Sequence, residues 1–139
     1  MRRYLHGVIL ALAAFPAWAQ TASQPDKCFS VPATAEETIA DCTKAIESKR
    51  SPSAYHNRGV QYFLKGLYPK GLADLTKAVE LSGVEKTDFV SDCLVWRGHT
   101  HEKLGQRGKA IADYREALNR DATNKSAQEK LKSYGVKPR

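Results

Sequence analysis

Apolar and polar positions along this chain follow one pattern three times. Thr38-Ile39-Ala40-Asp41-Cys42-Thr43-Lys44-Ala45-Ile46-Glu47 returns as Gly71-Leu72-Ala73-Asp74-Leu75-Thr76-Lys77-Ala78-Val79-Glu80, and again as Ala110-Ile111-Ala112-Asp113-Tyr114-Arg115-Glu116-Ala117-Leu118-Asn119. Asp41 and Asp74 are 33 residues apart, and Asp74 and Asp113 are 39 apart. A second shared string precedes the second and third copies. Asn57-Arg58-Gly59, Tyr62 and Lys65-Gly66 correspond to Trp96-Arg97-Gly98, His101 and Leu104-Gly105. Each unit therefore reads as two short helices around a Gly-containing turn. Repetition at this period predicts a stack of like units in place of a globule with one closed pocket. It favours protein binding over catalysis.

Local signals mark where the helices begin and end. Thr34-x-x-Glu37 is a capping box opening the first helix. Ser51-Pro52 is an N-cap followed by Pro at the first helical position. Gly66 stops that helix where a left-handed residue fits, and Pro69 restarts the next. A last helix, about Lys125–Tyr134, follows Asn124 and ends at Gly135. It carries Lys125, Glu129 and Lys132 on one side, as expected of a helix that caps a solenoid. Gly59 and Gly98 fall in mid-helix, where Gly costs about 1 kcal/mol relative to Ala. Close packing of helix on helix is the expected reason for accepting that cost. The first unit has only its second helix. The prediction is an all-α solenoid of five repeat helices plus a capping helix.

This arrangement resembles the tetratricopeptide repeat, a helix–turn–helix unit of 34 residues. In residues 52–85, Tyr55, Gly59, Tyr62, Gly66, Tyr68 and Ala78 sit at family spacing. In residues 91–124, Leu94, Gly98, Gly105, Ala110, Tyr114 and Ala117 do the same. Gly71 stands where the family usually has Ala, no Pro closes the second unit, and His101 replaces an aromatic. The extra spacing falls in the polar stretch Gly83–Asp88. The resemblance covers roughly residues 35–135 and implies about two and a half repeats. Residues 20–34 form an extended segment before this domain and 136–139 a tail.

In that family the first helices line a concave groove that holds peptide segments. The resemblance maps His56, Val60, Phe63 and Leu64 to such a groove from the second unit, and Val95, His99, Glu102 and Lys103 from the third. An apolar half beside a polar half suits an extended peptide or a partner helix. The alternative is that Phe63 and Leu64 pack against the first helix. The family's Lys/Asn clamp for a terminal carboxylate is not implied, because His56 and Val60 occupy its positions. Arg58 and Arg97 recur on first helices, and Asp41, Asp74 and Asp113 on second helices. A ladder of interhelical ion pairs would use the Arg fork to fix repeat register. Independent surface charges of little energetic weight are the other reading.

Three Cys follow the first twenty residues: Cys28, Cys42 and Cys93. Cys42 occupies the position of Leu75 and Tyr114, which by the resemblance faces the partner helix of its own unit. That helix is missing in the first unit, and Thr21–Ala33 stands in its place. A Cys28–Cys42 disulfide would pin this segment over the first helix, contributing roughly 3 kcal/mol in the chain-entropy model. Two other pairings, and two buried thiols, remain open. Cys93 is expected to be unpaired or to link two chains.

The N-terminus changes the setting. Arg2 and Arg3, the short apolar run Val8–Phe15 and Ala17-Trp18-Ala19 read as a secretory signal peptide over residues 1–19. The run is too short to span a bilayer, and no Cys at the cleavage site offers a lipid anchor, so no stable membrane insertion is expected. The expected location is the periplasm of a Gram-negative bacterium, or outside the cell, where disulfides persist. A formal net charge of +7 would otherwise raise nucleic acid as a partner. Export and the mixing of bases with acids along helix faces argue against it. They leave a solvated surface, or weak attraction to an anionic envelope.

Little points to chemistry. His99-x-His101 suggests a metal site, but residues two apart do not share a helix face. Cys93 and the two histidines lie on one helix, without the convergence from separate elements that nucleophilic catalysis needs. No metal, cofactor or enzymatic activity is predicted. The expected function is an exported protein-interaction module, an adaptor or assembly factor of the cell envelope. The alternative is a structural, self-associating module, with the open first-helix edge or Cys93 as the homodimer contact.

Overall fold

Six helices follow one another in a computed structural model that describes residues 28, 34–83 and 87–137. They are α1 (Ala35–Ser48), α2 (Pro52–Leu64), α3 (Tyr68–Ser82), α4 (Asp88–Lys103), α5 (Arg107–Arg120) and α6 (Lys125–Ser133). No strand occurs among the described residues. Each helix packs on its neighbours in sequence, most extensively α2 on α3 and α4 on α5. The expected signal peptide, residues 1–19, lies outside the described residues.

The boundaries follow local chemistry. The Thr34 hydroxyl accepts from the Glu37 amide, and the Glu37 carboxylate accepts from the Thr34 amide at 2.9 Å, closing the capping box of α1. Ser51 makes no side-chain cap bond, so α2 starts on the fixed φ of Pro52 instead of on a hydroxyl acceptor. Gly66 and Gly105 follow α2 and α4 with φ of +75° and +71°, a conformation that glycine adopts without Cβ strain.

Within each unit the two helices touch where a side chain is missing. A Cβ at Gly98 would lie 2.7 Å from Cε1 of Tyr114, and one at Gly59 would lie 2.9 Å from Cγ of Leu75. Both partner side chains are fully buried, so neither can step aside. Gly71 lies in a similarly close contact: a Cβ there would stand 3.0 Å from the Gly59 carbonyl oxygen. The largest buried cluster joins α4, α5 and α6 through Leu94, Tyr114, Leu118, Ala127 and Leu131.

A smaller cluster closes the other end. Cys28 and Cys42 form a disulfide, S–S 2.10 Å, and pack with Ala45 and Ala54. Asn57 on α2 donates to the Cys28 carbonyl at 3.1 Å, tying the bridge to the second unit. Of Thr21–Ala33 only Cys28 is described, and the course of the rest lies outside the described residues. Cys93 is a free thiol, fully buried on α4, and burial pushes its pKa up to about 12. A protonated, enclosed thiol is a poor nucleophile, so the interchain disulfide considered above does not suit the folded chain.

Arg58 reaches Asp74 bidentately, Nε to Oδ2 at 2.7 Å and Nη2 to Oδ1 at 2.9 Å. Arg97 reaches Asp113 in the same way, at 2.9 and 2.6 Å. Arg58 also donates to the Thr43 hydroxyl at 2.9 Å, so one guanidinium touches three helices. Asp41 does not fit this scheme. Its carboxylate lies 3.7 Å from Lys44 one turn along α1, and among the described residues no Arg reaches it. The described residues therefore hold two interhelical rungs.

These pairs stand between the surface case, worth about 1 kcal/mol or less, and the buried case, in which losing one partner costs about 3–5 kcal/mol. A double-mutant cycle with Arg58→Ala and Asp74→Ala, followed by denaturant unfolding, should give a coupling of about 1–3 kcal/mol. Additive effects would reduce the pair to two independent charges.

Candidate interaction face

First helices α2, α4 and α6 are linked side to side. Phe63 sits at the centre of the first link, with ring centroids 5.5 Å from Tyr68, 5.4 Å from Trp96 and 6.4 Å from His99. His99 continues to Trp96 and to Tyr114, each at 5.6 Å. The second link is polar. Glu102 of α4 accepts from Lys130 Nζ of α6 at 2.7 Å and from the Tyr134 hydroxyl at 2.5 Å. Burial would raise the Glu102 pKa, but these hydrogen bonds outweigh it and hold the carboxyl below its ordinary value.

The eight groove residues read from the sequence fall into different surroundings. Phe63 and His99 meet in the aromatic link, where the Phe63 ring contacts Trp96 and His99 of α4. Leu64, the last residue of α2, is 62% exposed, and Lys103, the last of α4, is exposed. Val60 is half-buried. His56 packs edge-on against Phe89 at 5.5 Å, and its Nδ1 lies 3.2 Å from the Asn57 side-chain oxygen. Glu102 is engaged by α6. Val95 is a correction: it is 4% exposed and belongs to the buried cluster with Ala127 and Leu131, so it is not available to a partner. Trp96 and Tyr134 were missed. Trp96 was visible in the sequence only as the counterpart of Asn57, a polar residue that gave no hint of an aromatic bridge.

The two histidines of His99-x-His101 go separate ways. His101 is buried, with Nδ1 2.7 Å from the Gln106 side-chain oxygen and Nε2 3.7 Å from Asp113. His99 lies among the rings. No cluster of three potential metal ligands occurs among the described residues. The face offers apolar contact and hydrogen-bonding groups.

His56 and His99 each carry a buried Nε2 without a hydrogen-bond partner among the described residues. Burial is the main cause that lowers both pKa values below 6.5. The Asn57 hydrogen bond and then Asp92 oppose the shift at His56. At His99, Lys130 adds to the shift and Glu102 opposes it. The unfolded chain therefore takes up protons near pH 6.5 while the folded chain resists. Stability that rests on neutral histidines is complete above that pH and is lost as pH falls below it. The melting temperature should fall between pH 7.5 and 5, and His56→Gln/His99→Gln should flatten the slope. An unchanged slope in the double variant would place the protons elsewhere.

The family model of the tetratricopeptide repeat matches residues 91–124, which span most of α4, the turn at Gly105 and all of α5. No curated protein matches the chain. The match falls on the unit with the Gly98–Tyr114 contact and the Arg97–Asp113 pair, in an all-α array of sequential antiparallel helix pairs. Residues 91–124 are a tetratricopeptide repeat, a unit that points to protein–protein interaction.

Proposed function

We propose that this chain is a protein-interaction module, an adaptor or assembly factor of the cell envelope, that holds a peptide segment or helix on the face of α2, α4 and α6. The observation that carries this reading is the Phe63–Trp96 ring contact joining α2 to α4, next in sequence to the exposed Leu64. Half-buried rings cost little to dehydrate fully and offer a large contact area, as anchors of interfaces do. The polar link Glu102–Lys130 on the same helices supplies hydrogen-bonding groups for a partner's main chain.

Export is supported by the sequence of residues 1–19 and by the Cys28–Cys42 disulfide, a bond that persists in oxidising compartments. Among the described residues no helix is long and apolar enough to cross a membrane.

The test is affinity capture from an envelope extract, with the wild type beside Leu64→Glu/Lys103→Glu. Both positions are exposed, so the variant should melt within a few degrees of the wild type. The reading expects a partner retained by the wild type and lost by the variant. Equal retention by both would move the binding surface off this face.

A further inference from the structure

Three positions share one register on the first helices. Ala54, Cys93 and Ala127 are each fully buried on α2, α4 and α6. Five residues after each stand Gly59, Gly98 and Lys132. The two glycines are where α3 and α5 press against their partner helices. In α6 the same place holds an exposed lysine. A helix could not approach α6 there as α5 approaches α4, because the space a Gly leaves open is filled by Lys132. The solenoid's own pattern of growth is thus blocked by one side chain.

The side of α6 that bears Lys132 is not flat. With the end of α5 it forms a cleft of about 540 Å³, within the roughly 300–1,000 Å³ typical of ligand sites. Leu118, Ala122 and Val136 give it an apolar lining, and Lys132 and Lys137 bring two cations. Gln128 of α6 donates to the carbonyl of Ala122, in the connection from α5, at 2.8 Å. No acidic residue lines the cleft, and neither lysine forms an ion pair among the described residues. Two neighbouring cations are engaged elsewhere: Lys130 with Glu102, and Arg107 over the Tyr134 ring at 4.8 Å.

We propose that the cleft between α5 and α6 is a second binding site, which takes an extended acidic segment of a protein partner. An apolar side chain of that segment lies on Leu118 and Val136, and its carboxylates meet Lys132 and Lys137. The charge selects an anion, the lining selects an apolar side chain beside it, and Lys132 excludes a closely packed helix. This site is separate from the α2–α4–α6 face and stands or falls independently of it.

The test is fluorescence anisotropy of the full chain with three labelled, capped peptides. One alternates aspartate with leucine, one has glycine for leucine, and one has lysine for aspartate. Only the first should bind. Lys132→Glu/Lys137→Glu should weaken it at least about tenfold, since two attractions become repulsions, while Leu64→Glu should leave it unchanged. Melting curves confirm that the variants remain folded. Equal binding by the lysine-reversed variant, binding of either control peptide, or no binding of the first would overturn the proposal. A gain of helical circular dichroism on binding would overturn the extended occupant. A dimer in sedimentation that Lys132→Glu dissolves would give the cleft to a second copy of the chain instead.

Discussion

A methyl group at Gly98 would sit 2.7 Å from the Tyr114 ring, and one at Gly59 would sit 2.9 Å from Leu75. Both contacts place the backbone of a first helix directly against a buried side chain of its second helix. The neighbouring residue in each case is an Arg that grips the Asp preceding that buried side chain. Apolar close approach and a bidentate ion pair thus lie side by side and act on the same pair of helices. The glycine sets the distance, and the fork geometry of Arg, which Lys lacks, sets the register. Helix propensity is sacrificed at Gly to gain buried contact, a trade that only tertiary packing can justify.

The two ends of the array differ. Among the described residues Cys42 of α1 is covered by Cys28, through the disulfide, and by Ala54 of α2. α6 has the place for a second helix but Lys132 where the glycine should be. At one end a disulfide covers α1, while at the other α6 sets Lys132 beside an apolar cleft. Between them, the α2–α4–α6 face is held together by rings on one side and by the Glu102–Lys130–Tyr134 network on the other.

Features written locally were legible in the sequence. The capping box at Thr34, the left-handed stop at Gly66 and the repeat around residues 91–124 needed only neighbouring residues. The Cys28–Cys42 bridge could be read because Cys42 breaks a repeat position otherwise held by Leu75 and Tyr114. Features that depend on a third helix were not legible. Val95 maps to the register of His56, yet it joins the cluster that includes Ala127 and Leu131, and a pairwise alignment of units carries no information about α6. The Glu102–Tyr134 hydrogen bond was not legible either, because it joins residues 32 apart and nothing near Glu102 announces it. Asp41 repeats the sequence of a rung, and among the described residues no Arg completes it.

The central claim is that each unit is one cooperative body, clamped at its Gly–Arg/Asp–apolar contact. Native-state hydrogen exchange of the wild type and Gly98→Ala tests it most directly. The account predicts the slowest exchange in the facing middles of α2–α3 and α4–α5, and a loss of protection in Gly98→Ala that appears in α4 and α5 together. Protection concentrated in α1 or α6, or a loss confined to the turn around residue 98, would contradict it.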